Sequence, residues 1–272
     1  MLPKYLQSEL GLKNLNNFLL IAGPCVVENK SVVFETCERV KKIADKLKIP
    51  YIFKSSYIKA NRTSAKSFRG IGIDKALKIL AQVKKEFKVP VLTDVHSEIE
   101  VSIVSEVVDI LQIPAFLSRQ SELLECAGET GKIINIKKGQ FLAPQDIKYQ
   151  AEKVALTGNK KILLTERGTS FGYNNLVVDM RGLVIMKSFG YPVIFDATHS
   201  VQMPSKEKGV SGGNPEFIAP LARAAIAVGV DGLFIETHPN PAKALSDGSN
   251  MLNLNKLEEL LKTLLKIYIL KK

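Results

Sequence analysis

Short apolar runs alternate with longer amphipathic stretches along the whole 272-residue chain, and this alternation constrains the fold more than any other feature. It is typical of strand-helix units arranged around a parallel sheet. Eight such units are present, and eight parallel strands predict an α/β protein with a single (β/α)8 TIM barrel. The predicted strands are Leu19 to Cys25, Tyr51 to Ser56, Val91 to His96, Ile110 to Ala115, Ile133 to Lys138, Ile162 to Arg167, Val193 to His199 and Gly232 to His238.

The segments between these strands have the periodicity of amphipathic helices. Residues 74 to 83 place Leu77, Leu80 and Ala81 on one side and lysines on the other, and residues 254 to 265 repeat the pattern with leucines. No internal repeat, low-complexity tract or flexible linker interrupts the chain. We therefore predict one catalytic barrel domain, residues 19–272, after a short N-terminal extension, residues 1–18, that can close the barrel bottom.

The formal charge of +11 at pH 7 favours anionic partners, namely nucleic acid, an acidic membrane surface or phosphorylated metabolites. Most lysines are scattered through helix-like segments, which is typical of a solvated face. There is no Trp, and Tyr and Phe do not alternate with the basic residues as base-stacking platforms would. We predict a small phosphorylated substrate and no nucleic-acid partner.

The three cysteines, Cys25, Cys37 and Cys126, are widely spaced and include no pair with the spacing of a zinc knuckle or redox motif. Such a set is typical of a reduced compartment. No run approaches the about 18 apolar residues of a membrane-spanning helix, and the N-terminal segment lacks the pattern of a secretion signal. We expect a soluble cytoplasmic protein with no membrane partner.

The stretch from Phe53 to Gly70 concentrates basic and hydroxyl side chains behind an apolar strand. Because the polar residues begin where the strand leaves the core, their cations and donors collect at one strand end. Arg offers a planar fork for phosphate oxygens, and Lys offers a mobile point charge. We interpret the stretch as the seat of a phosphorylated substrate, with a solvated basic loop as the alternative. Its cations are Lys54, Lys59, Arg62, Lys66 and Arg69.

Residue types that carry chemistry stand at or just after the ends of the predicted strands. A barrel gathers these ends at one mouth, where the active sites of such barrels lie. The pattern therefore predicts an enzyme, although polar residues also occupy loop starts for solubility alone. The candidate catalytic residues are Lys59, Asp94, His96, Lys137, Arg167, His199 and Asp247.

Four residues from the same strand ends form a candidate metal site: Cys25, His199, Glu236 and Asp247. One thiolate, one imidazole and two carboxylates suit zinc, ferrous iron or manganese, and not magnesium, which prefers oxygen ligands. The alternative is that Cys25 is a small buried residue with a packing role only, which is the role we expect for Cys37 and Cys126.

A second group of cations joins Lys137 or Lys138 with Arg119 and Arg167. Strand parity allows only one of the two lysines to face inward. Because few acids are expected nearby, the cations would repel one another unless an anion lay among them, which implies a second phosphate or a carboxylate. The loop that runs from Ser200 to Pro215 is a rival phosphate site, and we expect it to act as a mobile lid.

Seven motifs, taken in their order and spacing, resemble one enzyme family over nearly the whole chain from Leu19 onward. The chain is similar to the 3-deoxy-D-manno-octulosonate 8-phosphate synthases. The motifs are Ile21-Ala22-Gly23-Pro24-Cys25, Lys59-Ala60-Asn61-Arg62, Gln112-Ile113-Pro114-Ala115-Phe116, Lys137-Lys138-Gly139-Gln140-Phe141, Phe171-Gly172-Tyr173-Asn174-Asn175-Leu176-Val177-Val178-Asp179, Asp196-Ala197-Thr198-His199-Ser200 and Ala244-Leu245-Ser246-Asp247-Gly248.

The resemblance implies a barrel enzyme that condenses phosphoenolpyruvate with D-arabinose 5-phosphate and water for lipopolysaccharide synthesis. It also implies a homotetramer. The family has metal-dependent and metal-independent forms, with Cys or Asn at the end of the first strand, and Cys25 indicates the metal-dependent form. By the resemblance, phosphoenolpyruvate would contact Lys54, Lys59, Ala115, Arg119, Lys137 and Arg167, and the pentose phosphate would contact Asn61, Arg62 and Thr63.

The nearest alternative is the related 3-deoxy-D-arabino-heptulosonate 7-phosphate synthase, which uses erythrose 4-phosphate. Relatives of that kind carry Lys-Pro-Arg where this chain has Lys59-Ala60-Asn61-Arg62. Asn can hydrogen-bond a longer sugar phosphate, whereas Pro has no donor. A non-enzyme alternative, a basic nucleic-acid-binding module, would need a contiguous positive face.

Overall fold

In a computed structural model of the protein, which describes residues 2–60, 67–207 and 210–270, eight parallel strands close into a barrel. Each strand pairs with its neighbour, and the first pairs with the last from Leu19 opposite Gly232 to Gly23 opposite Glu236. The predicted (β/α)8 barrel is confirmed. The strands are β1 (Leu19–Gly23), β2 (Tyr51–Lys54), β3 (Val91–Asp94), β4 (Ile110–Ile113), β5 (Ile133–Lys137), β6 (Ile162–Glu166), β7 (Val193–Asp196) and β8 (Gly232–His238).

A helix follows each barrel strand and packs its apolar face against the sheet. The predicted periodicity at 74–83 lies within the helix after β2, and that at 254–265 begins with a 3-10 turn and continues as the last helix. None of the helices in the described part of the chain is long and apolar enough to cross a membrane. The helices are α1 (Tyr5–Leu10), α2 (Lys30–Leu47), α3 (Ile73–Phe87), α4 (Glu98–Ser105), α5 (Ser121–Glu129), α6 (Ile147–Leu156), α7 (Met180–Lys187), α8 (Ile218–Val228) and α9 (Leu257–Leu270).

The inner face of the barrel changes from apolar to polar along seven of the eight strands, whereas β1 ends in Gly23. Alternate side chains of a strand point to the same face, so Ile52 and Lys54 share the interior, as do Leu92 and Asp94. The apolar members form one cluster at the amino ends of the strands: Leu19, Ile21, Ile52, Leu92, Ile110, Ile133, Leu163, Ile194 and Phe234. Two residues further along, the interior positions turn polar, and this transition places the site at the carboxyl ends.

The N-terminal segment packs against the apolar end of the interior. Leu2, Leu6 and Leu12 belong to the same buried cluster, and the Tyr5 hydroxyl donates a hydrogen bond to the carbonyl of Ile162 at 3.0 Å. These contacts match a segment that closes the barrel bottom, and they include helix α1, which the sequence pattern did not predict. The division of the chain at residue 18 stays a prediction.

Two segments after the barrel strands form antiparallel hairpins. Thr169–Ser170 pairs with Leu176–Val177, and Gln202–Glu207 pairs with Val210–Gly213. The second hairpin lies within the loop from Ser200 that we expect to act as a lid, and the lid stays a prediction. Backbone pairing between its two strands gives this part of the loop regular structure.

Gly23 is the position where the end of β1 lies closest to β2. A Cβ atom at this glycine would lie 2.0 Å from the carbonyl oxygen of Lys54. Any side chain there would therefore separate the two strands. The glycine allows the backbone that leads into Cys25 to approach the strand that carries Lys54.

Candidate active site

A cavity of about 320 Å³ opens at the carboxyl ends of the barrel strands. Its size falls in the range of small-molecule sites. The structure brings together all seven residues that we predicted to be catalytic, since each lines this cavity: Lys59, Asp94, His96, Lys137, Arg167, His199 and Asp247.

Two lysines in the barrel mouth are each paired with a buried acid. Lys54 Nζ donates to Glu236 Oε1 at 2.6 Å, and Lys137 Nζ donates to Asp196 Oδ2 at 2.6 Å. Burial opposes ionisation of Glu236, but Lys54 and the other nearby cations lower its pKa well below the ordinary value. Our expectation that few acids would lie near the second group of cations was wrong for Lys137, which pairs with Asp196. The acids come from β7 and β8, so their proximity depends on barrel closure rather than on local sequence.

Arg167 is a cation with an available donor. Its side chain is buried, its Nη2 donates to Gln202 Oε1 at 2.6 Å, and its Nη1 has no hydrogen-bond partner among the described residues. A buried donor without a partner is costly, because its desolvation is not compensated. An anion in the cavity would supply the missing acceptor.

Lys59 also reaches the cavity, and its Nζ lies 3.8 Å from Glu236 Oε1. Burial alone would favour the neutral amine. Coulombic attraction to Cys25, Glu236 and the other nearby acidic groups outweighs this and raises the pKa of Lys59. The lysine is therefore a fixed positive charge in the barrel mouth, suited to holding an anion rather than to exchanging a proton.

Lys138 points away from the cavity, as the parity argument requires if Lys137 points inward. Its amine donates to the carbonyls of Gly139 and Leu142 and to the Thr169 hydroxyl, at 3.1, 3.0 and 3.1 Å. Glu166 lies on the same side, 3.7 Å away. The sequence left open which of the two lysines faces inward. In the structure Lys137 lines the cavity, while Lys138 stabilises the loop after β5 through its hydrogen bonds.

Asp94 accepts from both sides in a chain of buried hydrogen bonds that links residues at the carboxyl ends of five neighbouring strands. Ser56 Oγ donates to its Oδ2 at 2.7 Å, and Gln112 Nε2 donates to its Oδ1 at 2.6 Å. Asn135 donates to Gln112 at 2.8 Å, and Thr165 donates to Asn135 at 2.7 Å. Burial opposes ionisation, but Lys54 and Lys59 lower the pKa of Asp94 below its ordinary value. The chain therefore holds Asp94 as an oriented carboxylate.

His96 stands at the wall of the cavity within a polar cluster. Its backbone N–H donates to Glu100 Oε2 at 2.9 Å, and its ring Nδ1 lies 3.1 Å from the Tyr57 hydroxyl. Tyr57 also donates to Glu100 Oε2 at 2.6 Å. These contacts fix the ring through Nδ1 and leave Nε2 as its other polar atom.

His199 is oriented by Asp196. The ring Nδ1 lies 2.7 Å from Asp196 Oδ2, and the backbone N–H of His199 donates to Asp196 Oδ1 at 2.9 Å. On the other side of the ring, Nε2 lies 3.5 Å from Glu236 Oε2. A histidine that donates through one nitrogen to a carboxylate presents the other as a lone-pair donor, which is the usual arrangement of a metal-binding imidazole.

Three of the four predicted metal ligands meet at one point. Donor atoms of Cys25, Glu236 and Asp247 lie within 4.8 Å of one another, and Cys25 Sγ is 3.1 Å from Asp247 Oδ2. His199 stands beside this group through its contact with Glu236. Burial and then Glu236 raise the pKa of the Cys25 thiol. Sulfur and oxygen donors at this spacing, with the imidazole of His199 beside them, are ligand types that suit zinc, ferrous iron or manganese.

The DAHP synthetase I family model matches residues 12–270 of the chain. The chain belongs to this family. Curated relatives from Acidithiobacillus ferrooxidans, Koribacter versatilis and Agrobacterium fabrum are 56%, 57% and 56% identical to it. The matches cover 94%, 91% and 95% of this chain and 90%, 90% and 92% of the relatives. Each relative is named 2-dehydro-3-deoxyphosphooctonate aldolase.

These relatives confirm the resemblance inferred from the motifs, because the octonate of their name is the eight-carbon acid sugar phosphate of the resembled family. The family name abbreviates the seven-carbon sugar, but none of these three relatives carries the seven-carbon name. The seven-carbon alternative is therefore not favoured.

The remaining residues suggested by the family resemblance are placed unevenly. Ala115 lines the cavity. Arg119 is exposed and is not among the residues that line it. The three predicted pentose-phosphate contacts, Asn61, Arg62 and Thr63, lie outside the described residues, although Ala60 just before them lines the cavity.

Our sequence reasoning missed several polar residues of the site. Gln112, Gln140 and Gln202 line the cavity, and Ser246 Oγ lies 2.9 Å from Cys25 Sγ. Gln112 had a usable signal, because it is an interior position of β4 that turns polar at the strand end. Gln140 and Ser246 follow strands on loops, where period-two parity does not apply, although both stand within the family motifs, and Gln202 begins the hairpin after β7.

Proposed function

We propose that the protein condenses phosphoenolpyruvate with D-arabinose 5-phosphate and water to give 3-deoxy-D-manno-octulosonate 8-phosphate and inorganic phosphate, as a step in lipopolysaccharide synthesis. The observation that carries this proposal is the convergence of Lys59, Lys137 and Arg167 on one cavity, with Arg167 Nη1 buried and without a partner among the described residues. A substrate that bears a phosphate and a carboxylate supplies anions for these cations. The octonate name of the relatives directs the proposal to this reaction.

We assign the two substrates to neighbouring parts of the cavity. Phosphoenolpyruvate takes the cations at the barrel mouth, with a backbone contact from Ala115 and with Arg119 as a rim contact. The pentose phosphate takes the segment after Ala60, which the family resemblance links to phosphate recognition. The proposed contacts of phosphoenolpyruvate are Lys54, Lys59, Ala115, Arg119, Lys137 and Arg167, and those of the pentose phosphate are Asn61, Arg62 and Thr63.

The reaction follows from the polarity of an enol phosphate. C3 of phosphoenolpyruvate is nucleophilic and bonds to the aldehyde carbon of the pentose phosphate, while the oxygen of water bonds to the electrophilic C2. The C2–O bond to phosphate then breaks to leave the ketone. The two protons of water end on the former aldehyde oxygen and on the released phosphate. No covalent lysine is needed, because both bonds form between substrates held in position.

The side chains of the cavity support these steps by position and charge. Lys137 and Arg167 hold the anionic groups and stabilise the negative charge that leaves with phosphate. Asp94, His96 and His199 line the cavity and can hold or relay the protons of water. The fixed carboxylate of Asp94 is suited to orienting a hydroxyl group, because Ser56 and Gln112 already occupy one lone pair on each of its oxygens.

We propose that Cys25, His199, Glu236 and Asp247 hold a divalent metal, either zinc, iron or manganese. When bound, such an ion would orient and polarise the attacking water or the aldehyde oxygen. The proposal is supported by the convergence of three donors and by the orientation of the His199 ring toward Glu236. The homotetramer and the cytoplasmic location are proposals that rest on the family resemblance and on the unpaired cysteines.

Release of inorganic phosphate by the purified protein tests the reaction. We expect release only when phosphoenolpyruvate and arabinose 5-phosphate are both present, with a product of the mass of the eight-carbon acid sugar phosphate. Release from phosphoenolpyruvate alone would indicate a phosphatase and would contradict the proposal.

Chelation with a parallel count of bound metal tests the metal site. We expect chelation to abolish turnover, and several divalent ions to restore it. Cys25→Ala should lose metal and turnover together because a methyl group cannot replace a thiolate, whereas Cys37→Ala should keep both. Full activity without bound metal would refute this part of the proposal and leave the anion site intact.

A further inference from the structure

The three converging donors of the candidate metal site come from three different segments. Cys25 lies on the loop after β1, Glu236 lies in β8, and Asp247 lies on the loop after β8. Donor atoms on separate segments keep a fixed spacing only if other contacts hold the segments together. Asp247 has a positive φ of 50°, a backbone conformation that few residues adopt without support.

Glu28 contacts two of these segments and belongs to the third. It is buried and stands three residues after Cys25 on the same loop. Its Oε1 accepts a hydrogen bond from the backbone N–H of Leu245 at 2.8 Å, two residues before Asp247. Its Oε2 lies 3.8 Å from Nε2 of His238, two residues after Glu236.

The hydrogen bonds of His238 fix which ring nitrogen faces Glu28. Nδ1 accepts from the backbone N–H of Asn240 at 2.9 Å, so the ring hydrogen is on Nε2. Nε2 is buried and has no hydrogen-bond partner within the described part of the chain, and the Glu28 carboxylate is the acid paired with it. The buried donor therefore gains its electrostatic partner from the Cys25 loop.

We infer that Glu28 is a positioning residue that holds the loop carrying Asp247 and the end of β8 against the Cys25 loop, so that the donor atoms keep a spacing suited to a metal ion. This inference rests on the metal site of the proposed function. Neither of the two contacts of Glu28 described above is with a proposed metal ligand. Glu28 therefore acts through the backbone of Leu245 and the ring of His238.

Glu35 offers a matched control. It lines the same surface groove as Glu28 and His238, but its carboxylate pairs with Arg39 at 3.1 Å, one turn along helix α2. A change at Glu35 removes an acid from the groove without touching the segments that carry the donors.

The test is titration of metal-free wild type and variants with cobalt(II), followed by the thiolate-to-cobalt absorption band, with the unfolding midpoint of each metal-free protein measured alongside. Glu28→Ala should weaken cobalt binding by about 10- to 100-fold, the usual cost of losing a group that orients ligands. Glu28→Gln keeps an oxygen for the Leu245 amide and should recover most of the affinity. Glu35→Gln should bind as wild type does.

Glu28→Asp covers the case in which Glu28→Ala does not fold. It keeps the charge but is one methylene too short to reach Leu245, so it should also weaken cobalt binding. Wild-type affinity and an unchanged band in Glu28→Asp or a folded Glu28→Ala would overturn the role of Glu28 and leave the metal site standing. Absence of cobalt binding by the wild type would overturn both.

Discussion

The two ends of the barrel interior are built from the same strands, yet one is apolar and closely packed and the other is polar and open to a cavity. At the amino ends, leucine and isoleucine side chains pack together and are covered by Leu2, Leu6 and Leu12. At the carboxyl ends, two residues further along, the interior holds lysines, carboxylates and amides around an open cavity. The comparison teaches that a shift of two residues along a strand separates the part that stabilises the barrel from the part that binds.

Phe234 marks the boundary between the two ends. Its ring belongs to the apolar cluster, while Lys137 Nζ lies 3.9 Å and Lys54 Nζ lies 5.3 Å from the ring centroid. The ring is thus the floor of the polar end, and the amines gain a cation–π contact from it. The charges above this floor are buried, so each depends on its partner.

The largest effect on stability is expected when a partner is removed at the polar end. Asp196→Ala leaves the amine of Lys137 buried without its acid, and it should lower the free energy of unfolding by about 3 to 5 kcal/mol. Turnover should fall as well, because the His199 ring loses the carboxylate at Nδ1. Denaturant unfolding and the phosphate-release assay measure the two losses.

The double variant Lys137→Met with Asp196→Leu is the control for this prediction. Removing both charges should restore most of the stability, since no buried charge is left unpaired, while the protein stays inactive. A single variant as stable as wild type would contradict the pairing, and an active double variant would contradict the role of Lys137.

At the apolar end, a substitution should lower stability without lowering activity. Leu163→Ala leaves a cavity in the buried cluster and should cost about 2 to 5 kcal/mol of unfolding free energy. Because Leu163 lies in the apolar cluster and not among the residues that line the cavity, kcat/KM should stay at the wild-type value at temperatures where the variant is folded. A large fall in kcat/KM would show that the two ends are not separable.

Within the polar end, the two anion sites should respond independently. Arg167→Ala should weaken the binding of phosphoenolpyruvate by about 1.5 to 3 kcal/mol through the loss of a charge-assisted contact. Arg62→Ala should weaken the binding of the pentose phosphate by a similar amount. The KM values of both substrates, measured for both variants, provide the test. Equal losses for both substrates in both variants would contradict separate sites.

The smallest effect is expected in the acid range. The folded-state pKa of Asp94 is below its ordinary value, so its contribution to stability is complete above the unfolded pKa of about 3.9 and declines as pH falls toward the folded value. Asp94→Asn lacks this contribution. Urea unfolding should therefore show that the free energy of unfolding of wild type exceeds that of Asp94→Asn by an amount that is constant near neutral pH and decreases below about pH 4. A difference that increases on acidification would contradict the lowered pKa of Asp94.

The order and parity of the strands were predictable from the sequence, because both follow from short-range patterns. The apolar runs predicted all eight strands, and period two predicted that only one of Lys137 and Lys138 faces inward. Since barrel closure brings strand ends together, the same patterns predicted which residues share the mouth.

The partners of those residues were not predictable in the same way. Lys137 finds Asp196, and Lys54 finds Glu236, across strands that are far apart in the chain. Such pairs depend on register and rotamers, which leave no periodic signal. Helix α1 and the hairpin after His199 were missed for a related reason, because short elements carry too few residues for a pattern to stand out.

The ratio of kcat/KM for arabinose 5-phosphate to that for erythrose 4-phosphate, each measured with phosphoenolpyruvate, tests the central claim most directly. The polar end is proposed to be a condensation site for the five-carbon aldehyde, so the ratio should exceed about 10, the effect of one good hydrogen bond or charge contact to the longer substrate. A ratio below one would contradict the account, because the same cavity would then serve the seven-carbon reaction.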